Sequence, residues 1–352
     1  FLAAWTLGHT GGKGVAAALI QRLKDSDDAV RCAAAQALGR LRDPRTIKPL
    51  VRAIRRFPGP KSRFEPDDYI VNAVVKMGRA AVKPLIELLL DGSETVRSRA
   101  EAAGLLGRIG DERAVEPLLK ALQERNPYVR AAVIRALGEL RCERAAEPAL
   151  KALQDEAADV RAAAIRTLAR VRCKRAVEPV LKALQDDKEP SVVEAAIWAL
   201  GELRCEQAVE PFVQLALHGI RTDDPLKGWL LAQMQDSIKA DAMRALSRIG
   251  GERAFKVLVR CLQNKDEEIR YAAAGALGRM GARAAAPLVK ALKKNLDAKF
   301  YKVEWKSGDF RPVGYSVDDR IIDAIRKLGR AAVEPLIAAL KDPNAKYKVR
   351  VA

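Results

Sequence analysis

Residues 111–138 read DERAVEPLLKALQERNPYVRAAVIRALG. The segment holds two apolar patterns separated by a short polar turn. In Val115, Leu118, Leu119 and Leu122, and again in Val129, Ala132, Val133, Ala136 and Leu137, apolar residues recur three and four apart. That spacing sets one stripe on each of two helices. Asn126 precedes the second pattern, where its side chain suits a helix cap. Gly138 closes it, and the expectation is that this glycine ends the helix.

Both halves return along the chain. The first recurs as ERAAEPALKAL at 143–153, KRAVEPVLKAL at 174–184, EQAVEPFVQLAL at 206–217 and RAAVEPLIAAL at 330–340. The second, V-R-x-x-A-x-x-A-L-G, recurs at 30–39 and, with Ile for Val, at 269–278. Pro84, Pro117, Pro148, Pro179 and Pro211 mark the period, at intervals of 33, 31, 31 and 32 residues. A two-helix unit of this size cannot bury its stripe alone, so neighbours must stack. Nine complete helix pairs are expected in one array over 1–352. The chain opens at Phe1 on what matches the end of a second helix and stops at VRVA within the start of another. The expectation is therefore a stretch of a longer polypeptide.

These paired motifs resemble HEAT repeats of the phycobilisome-lyase (PBS lyase) type, over nearly the whole chain. The resemblance implies an all-α fold, a right-handed α-solenoid of two-helix repeats. It also implies that the proline-bearing helix, A, is outer and that the Val-Arg helix, B, lines a concave groove. An ion-pair ladder between repeats is the role it implies for the arginine after the B-helix valine position, which in the third pair is taken at Ser98 so that Leu106-Gly107 aligns: Arg31, Arg99, Arg130, Arg161 and Arg270.

The chain carries 63 Lys and Arg against 45 Asp and Glu, a net charge of +18. Such a surface attracts acidic proteins or nucleic acid. No run of eighteen apolar residues occurs, so no membrane span is expected. Cys142, Cys173 and Cys205 recur in equivalent Leu-Arg-Cys or Val-Arg-Cys contexts, 31 and 32 residues apart. Stacked helices stand about 8–10 Å apart, too far for a disulfide or a shared zinc ion. They read as small buried residues in a reducing, cytoplasmic setting.

Numbering the B-helix valine, or Ser98 in the third pair, as position 0, positions 3, 4, 7 and 8 are small and apolar. Positions 6 and 10 are left to face the groove. They supply Arg108, Arg135, Arg166, Arg170, Trp198, Arg244, Arg248 and Arg279. Arginine and tryptophan are frequent binding anchors, and spaced guanidinium groups suit carboxylates or phosphates.

Three A-to-B connections are long: 17, 27 and 30 residues from proline to position 0, against a usual 12 to 14. Loops are expected at about 55–67, 218–236 and 295–318, the last with a small β-hairpin near 299–315. Phe64, Trp229, Tyr301, Trp305, Phe310 and Tyr315 are their candidate partner-binding aromatics. The doubled aspartates Asp67-Asp68 and Asp318-Asp319 read as helix caps.

With His9 and His218 as the only histidines, no HExxH, CxxC, P-loop or G-x-S-x-G pattern is present. The reading is a non-catalytic scaffold without metal or cofactor, binding a protein partner of acidic surface through the groove and the loops. Nucleic-acid binding through the basic groove is the alternative. A bilin lyase or bilin chaperone is a third reading, implied by the family resemblance alone. HEAT-like DNA glycosylases share only the architecture.

Overall fold

A computed structural model describes residues 14–54, 66–187, 189–219, 225–299 and 317–341. They form an all-α fold built from nine A–B helix pairs and one further A helix. The hairpin expected near 299–315, Phe64, Tyr301, Trp305, Phe310 and Tyr315 lie outside them. Two compact units are distinguished, Phe1–Ala176 and Val177–Ala352.

In the first unit the A and B helices alternate as α1 (Val15–Arg22) and α2 (Asp28–Leu41), α3 (Ile47–Ala53) and α4 (Pro66–Met77), α5 (Arg79–Leu90) and α6 (Val96–Ile109), α7 (Val115–Ala121) and α8 (Pro127–Glu139), and α9 (Ala146–Ala152) and α10 (Ala158–Arg170). The second unit continues with α11 (Val177–Asp186) and α12 (Pro190–Glu202), α13 (Val209–His218) and α14 (Pro225–Ile249), α15 (Gly251–Cys261) and α16 (Glu267–Leu277), α17 (Ala285–Lys299) and α18 (Val317–Leu328), then α19 (Val333–Leu340).

Most A helices open with a 3-10 turn, such as Glu112–Ala114 before α7. The repeated proline then falls in the first α-turn, where its missing N–H would have no partner in any case. Four B helices start on side-chain caps: Asp27 accepts from Ala29 N, Thr95 from Ser98 N, Asn126 from Tyr128 N and Asp266 from Glu268 N. Asp67, Asp68, Asp318 and Asp319 lie inside the first turns of α4 and α18 rather than at the cap. There they favour the positive end of the helix dipole.

The motif glycine does something other than end the helix. Gly39, Gly107, Gly138 and Gly201 are inside their helices, and Gly278 keeps a right-handed helical backbone. The left-handed residue that turns the chain is Arg42, Arg141 or Arg204 in several repeats, and Gly110 after α6. Position 9 is instead a contact point. A Cβ on Gly107 would stand 2.7 Å from Ala136 Cα, and one on Gly39 would stand 2.8 Å from Ala73 Cβ. Gly138 meets Thr167, Gly201 meets Ala245 and Gly278 meets Ala324. In every case position 9 of one B helix abuts position 7 of the next. This small-residue seam brings B backbones close together.

The position-1 arginines clamp the turn between A and B. Arg31, Arg130, Arg161 and Arg270 each donate Nη1 to two carbonyls of that turn; for Arg130 these are Glu124 O at 3.0 Å and Arg125 O at 2.6 Å. Arg99 donates Nε to Leu89 O. Arg99 and Arg130 also reach the following repeat, at Glu124 and Asp155. The expected ladder is thus a backbone clamp first, with Arg99 and Arg130 adding inter-repeat rungs.

Two connections differ from expectation. The 218–236 stretch is helical from Pro225 onward, continuous with its B helix, so Trp229 lies in α14 and not in a loop. Likewise 295–299 belong to α17. Pro225 suits the first helical position, and Leu226, Leu230, Met234 and Ile238 keep helical spacing.

Among the cysteines, Cys32, Cys205 and Cys261 are buried, while Cys142 and Cys173 are only half-buried; all are free thiols. Cys142 and Cys205 stand where Asp43 and Asp111 cap the 3-10 turn, and they make no side-chain cap bond. The Asp111 carboxylate is held down to about 2, first by the hydrogen bond from Arg113. Cys142→Asp, with Arg144 placed as Arg113 is, should restore the cap and add about 1 kcal/mol. The midpoint of urea unfolding checks this, and an unchanged midpoint would refute it.

Candidate functional site

Sequence positions 6 and 10 do emerge on the B layer. Arg108, Arg135 and Arg170 in the first unit are exposed, as are Arg244, Arg248 and Arg279 in the second. Arg166 and Trp198 are half-buried.

In the first unit a cleft of about 400 Å³ opens between α6 and α8. Arg108 and Arg135 line it beside Tyr128 and Glu139, and Leu105 and Ala132 give it an apolar wall. Its cause is Gly104. This residue occupies position 6, where the next repeat carries Arg135, and nothing lies within 4 Å of where its Cβ would be. Glu101, almost fully buried at position 3, also lines the cleft.

In the second unit four guanidinium groups from three successive B helices gather. Arg244 pairs with Asp241 on its own helix. Arg248 Nε lies 3.3 Å from Glu202 Oε1 on α12. Arg279 donates Nε to Ser247 Oγ at 3.3 Å. Arg320 stacks on Tyr271, its Cζ 5.0 Å from the ring centre. Its Nη1 is 3.9 Å from Asp323, whose carboxylate sits closer to Lys327, at 2.8 Å. Arg320 can lie there because Gly275, another position-6 glycine, has no side chain; a Cβ would stand 2.7 Å from Arg320 Nε and Nη2. Arg279 is held below the ordinary arginine value, first by loss of water around its guanidinium and then by the charges of Arg244, Arg320 and Arg248. It remains a cation at neutral pH.

Arg320 escaped the sequence reading because position 3 was treated as uniformly small. Ala33, Ala132, Ala163, Ala195 and Ala272 follow that rule; Tyr69, Glu101, Asp241 and Arg320 break it. The three charged exceptions each sit in one of the two sites, so the charged break in an alanine column was the available signal.

The model for HEAT repeats matches residues 1–62, 82–157, 146–223 and 224–299. The chain belongs to the HEAT-repeat family. No curated protein matches its sequence. Among solved structures, this HEAT-repeat chain is similar to a Kap95:Nup1 complex, with 13% identity and a TM-score of 0.58 over 95% of this chain and 50% of that one. A Kap95p structure, in which binding induces the switch loops of RanGDP to adopt the GTP-bound conformation, gives 14% identity and 0.52, again over 95% and 50%. The chain spans about half the length of each. At these identities the likeness shows the helical-solenoid fold alone. The complex of CpcE and CpcF of phycocyanin lyase from Nostoc sp. is 21% identical over 91% of this chain and 96% of that one; at a TM-score of 0.28 it carries no argument for bilin chemistry. No helix among the described residues is long and apolar enough to cross a membrane.

Proposed function

We propose that this HEAT-repeat chain is a non-catalytic scaffold whose B-helix face holds a protein partner of acidic surface. The observation that supports this best is the cleft at Gly104. It combines an apolar wall, an exposed tyrosine and two guanidinium groups, which suits a side chain anchored by its apolar body and by a carboxylate. The exposed arginines of the same face extend the contact beyond the cleft.

The test begins with affinity capture and mass spectrometry to obtain a partner, followed by quantitative binding. The triple variant Arg135→Glu, Arg166→Glu, Arg244→Glu should lose partner binding while its helical circular dichroism is preserved. Gly104→Trp, which fills open space, should weaken the same partner without lowering stability. Unchanged affinity in both variants would sink the reading.

Nucleic-acid binding is the second reading, favoured by the net charge of +18. A phosphate-backbone complex would weaken log-linearly with salt. No binding at low salt excludes it.

A further inference from the structure

Like charges held together without matching acids are costly, and the cost is relieved when an anion arrives. The second unit contains such a place. Arg244, Arg248 and Arg320 each have a carboxylate nearby, but Arg279, among the described residues, has only the neutral Ser247 hydroxyl as acceptor. Arg320 is fixed from behind by the Tyr271 ring, and its buried Nε has no hydrogen-bond partner among the described residues. The four groups rise from α14, α16 and α18, and Gly278 on α16 packs closely on Ala324 of α18. Two of the four, Arg320 and Arg248, are thereby positioned by neighbours other than each other, so the arrangement does not depend on a ligand to assemble.

We infer that Arg244, Arg248, Arg279 and Arg320 form an oxyanion site that takes a single phosphoryl group, carried on a phosphorylated side chain of a protein partner. This rests on the scaffold reading above and names the chemistry of part of its partner. A phosphoryl group supplies three acceptor oxygens and close to two negative charges, which suits several guanidinium donors converging on one point. The surroundings favour a point anion over an extended polyanion. Glu202, Asp241 and Asp323 rim the cluster, and each would repel a phosphate backbone running across it. Among the described residues the ring at the cluster, Tyr271, carries Arg320 on its face, so that face is not open for base stacking.

Calorimetry on the whole protein tests the site with three probes: inorganic phosphate, O-phosphoserine with serine as the blank, and a short single-stranded oligodeoxynucleotide, all at matched ionic strength. Phosphate and phosphoserine should compete for one site and serine should not bind. Arg279→Gln should weaken phosphoserine by roughly tenfold or more, since it removes a charge-assisted donor. The same variant should melt no lower than the wild type, because it removes repulsion; a merely structural arginine would lower the melting temperature when lost. Gly104→Trp, in the other unit, should leave phosphoserine binding unchanged. Absence of phosphoserine binding, or binding that survives Arg279→Gln, overturns the proposal. So does an oligonucleotide that binds more tightly than phosphoserine and depends on Arg279, which would assign the cluster to nucleic acid. The scaffold reading is told apart from these outcomes by Gly104→Trp against a protein partner, since that variant touches none of the four arginines, whereas the triple variant includes Arg244.

Discussion

Gly107→Ala should destabilise the protein by about 1–3 kcal/mol, while Gly104→Ala, one turn earlier on the same helix, should stabilise it by about 0.5–1 kcal/mol. Helix propensity favours alanine equally at both. The difference is what each new methyl meets. At 104 it enters open space. At 107 it stands 2.7 Å from Ala136 Cα and 3.0 Å from Ala136 Cβ, and neither belongs to a flexible side chain that could swing aside. The α6 and α8 backbones must separate, and a gap opens along the seam between them. Chemical denaturation of the two variants beside the wild type measures both signs. Equal effects would mean that the seam does not set the B-helix spacing.

Arg130→Ala should cost about 3 kcal/mol. Arg130 and Asp155 are each about 14% exposed, and they share two hydrogen bonds, Nε–Oδ2 at 2.9 Å and Nη2–Oδ1 at 2.8 Å. Truncation strands that carboxylate together with two turn carbonyls. The pair also makes stability depend on pH. Burial raises the Asp155 pKa, but the hydrogen bonds from Arg130 and from Ala157 N, with the charges of Arg130 and Arg161, outweigh it and leave the group below its ordinary value. A lowered folded value means that the stabilisation is fully present above the unfolded value, about 3.9. It is lost as pH falls below that and through the folded value. Glu124, lowered chiefly by the hydrogen bond from Arg99, acts in the same direction. Unfolding free energy measured down the acid limb should therefore fall less steeply in Arg130→Ala than in the wild type. An unchanged slope would remove Asp155 from the account.

Much of this was legible in the sequence, because a repeat reports the same physical demand many times over. The proline interval located the A helices, and the apolar spacing of Val129 to Leu137 located a B stripe. Positions 6 and 10 then followed as the exposed remainder. The role of Gly138 was misread, since one chain cannot show which neighbour a residue abuts. A glycine near a helix end suits a terminator equally well, whereas the structure uses Arg141 for the turn and Gly138 for contact with Thr167. The 225–236 helix was missed because the repeat register fixed its start at Ile238, although the apolar spacing continued upstream. The two sites depend on absences, Gly104 and Gly275, and a missing side chain becomes a cleft or a seat only once the neighbouring helix is in place.

The seam of positions 7 and 9 has a consequence for how such a chain can change. It occupies residues that the exposed positions 6 and 10 do not share, so geometry and recognition are recorded on separate letters of one helix. Drift at Arg135 or Arg244 rewrites what is recognised without disturbing the step from one repeat to the next. Drift at Gly107 does the reverse. A single B helix can thus serve as an exchangeable cassette, and new specificities can be assembled by shuffling repeats instead of redesigning a fold.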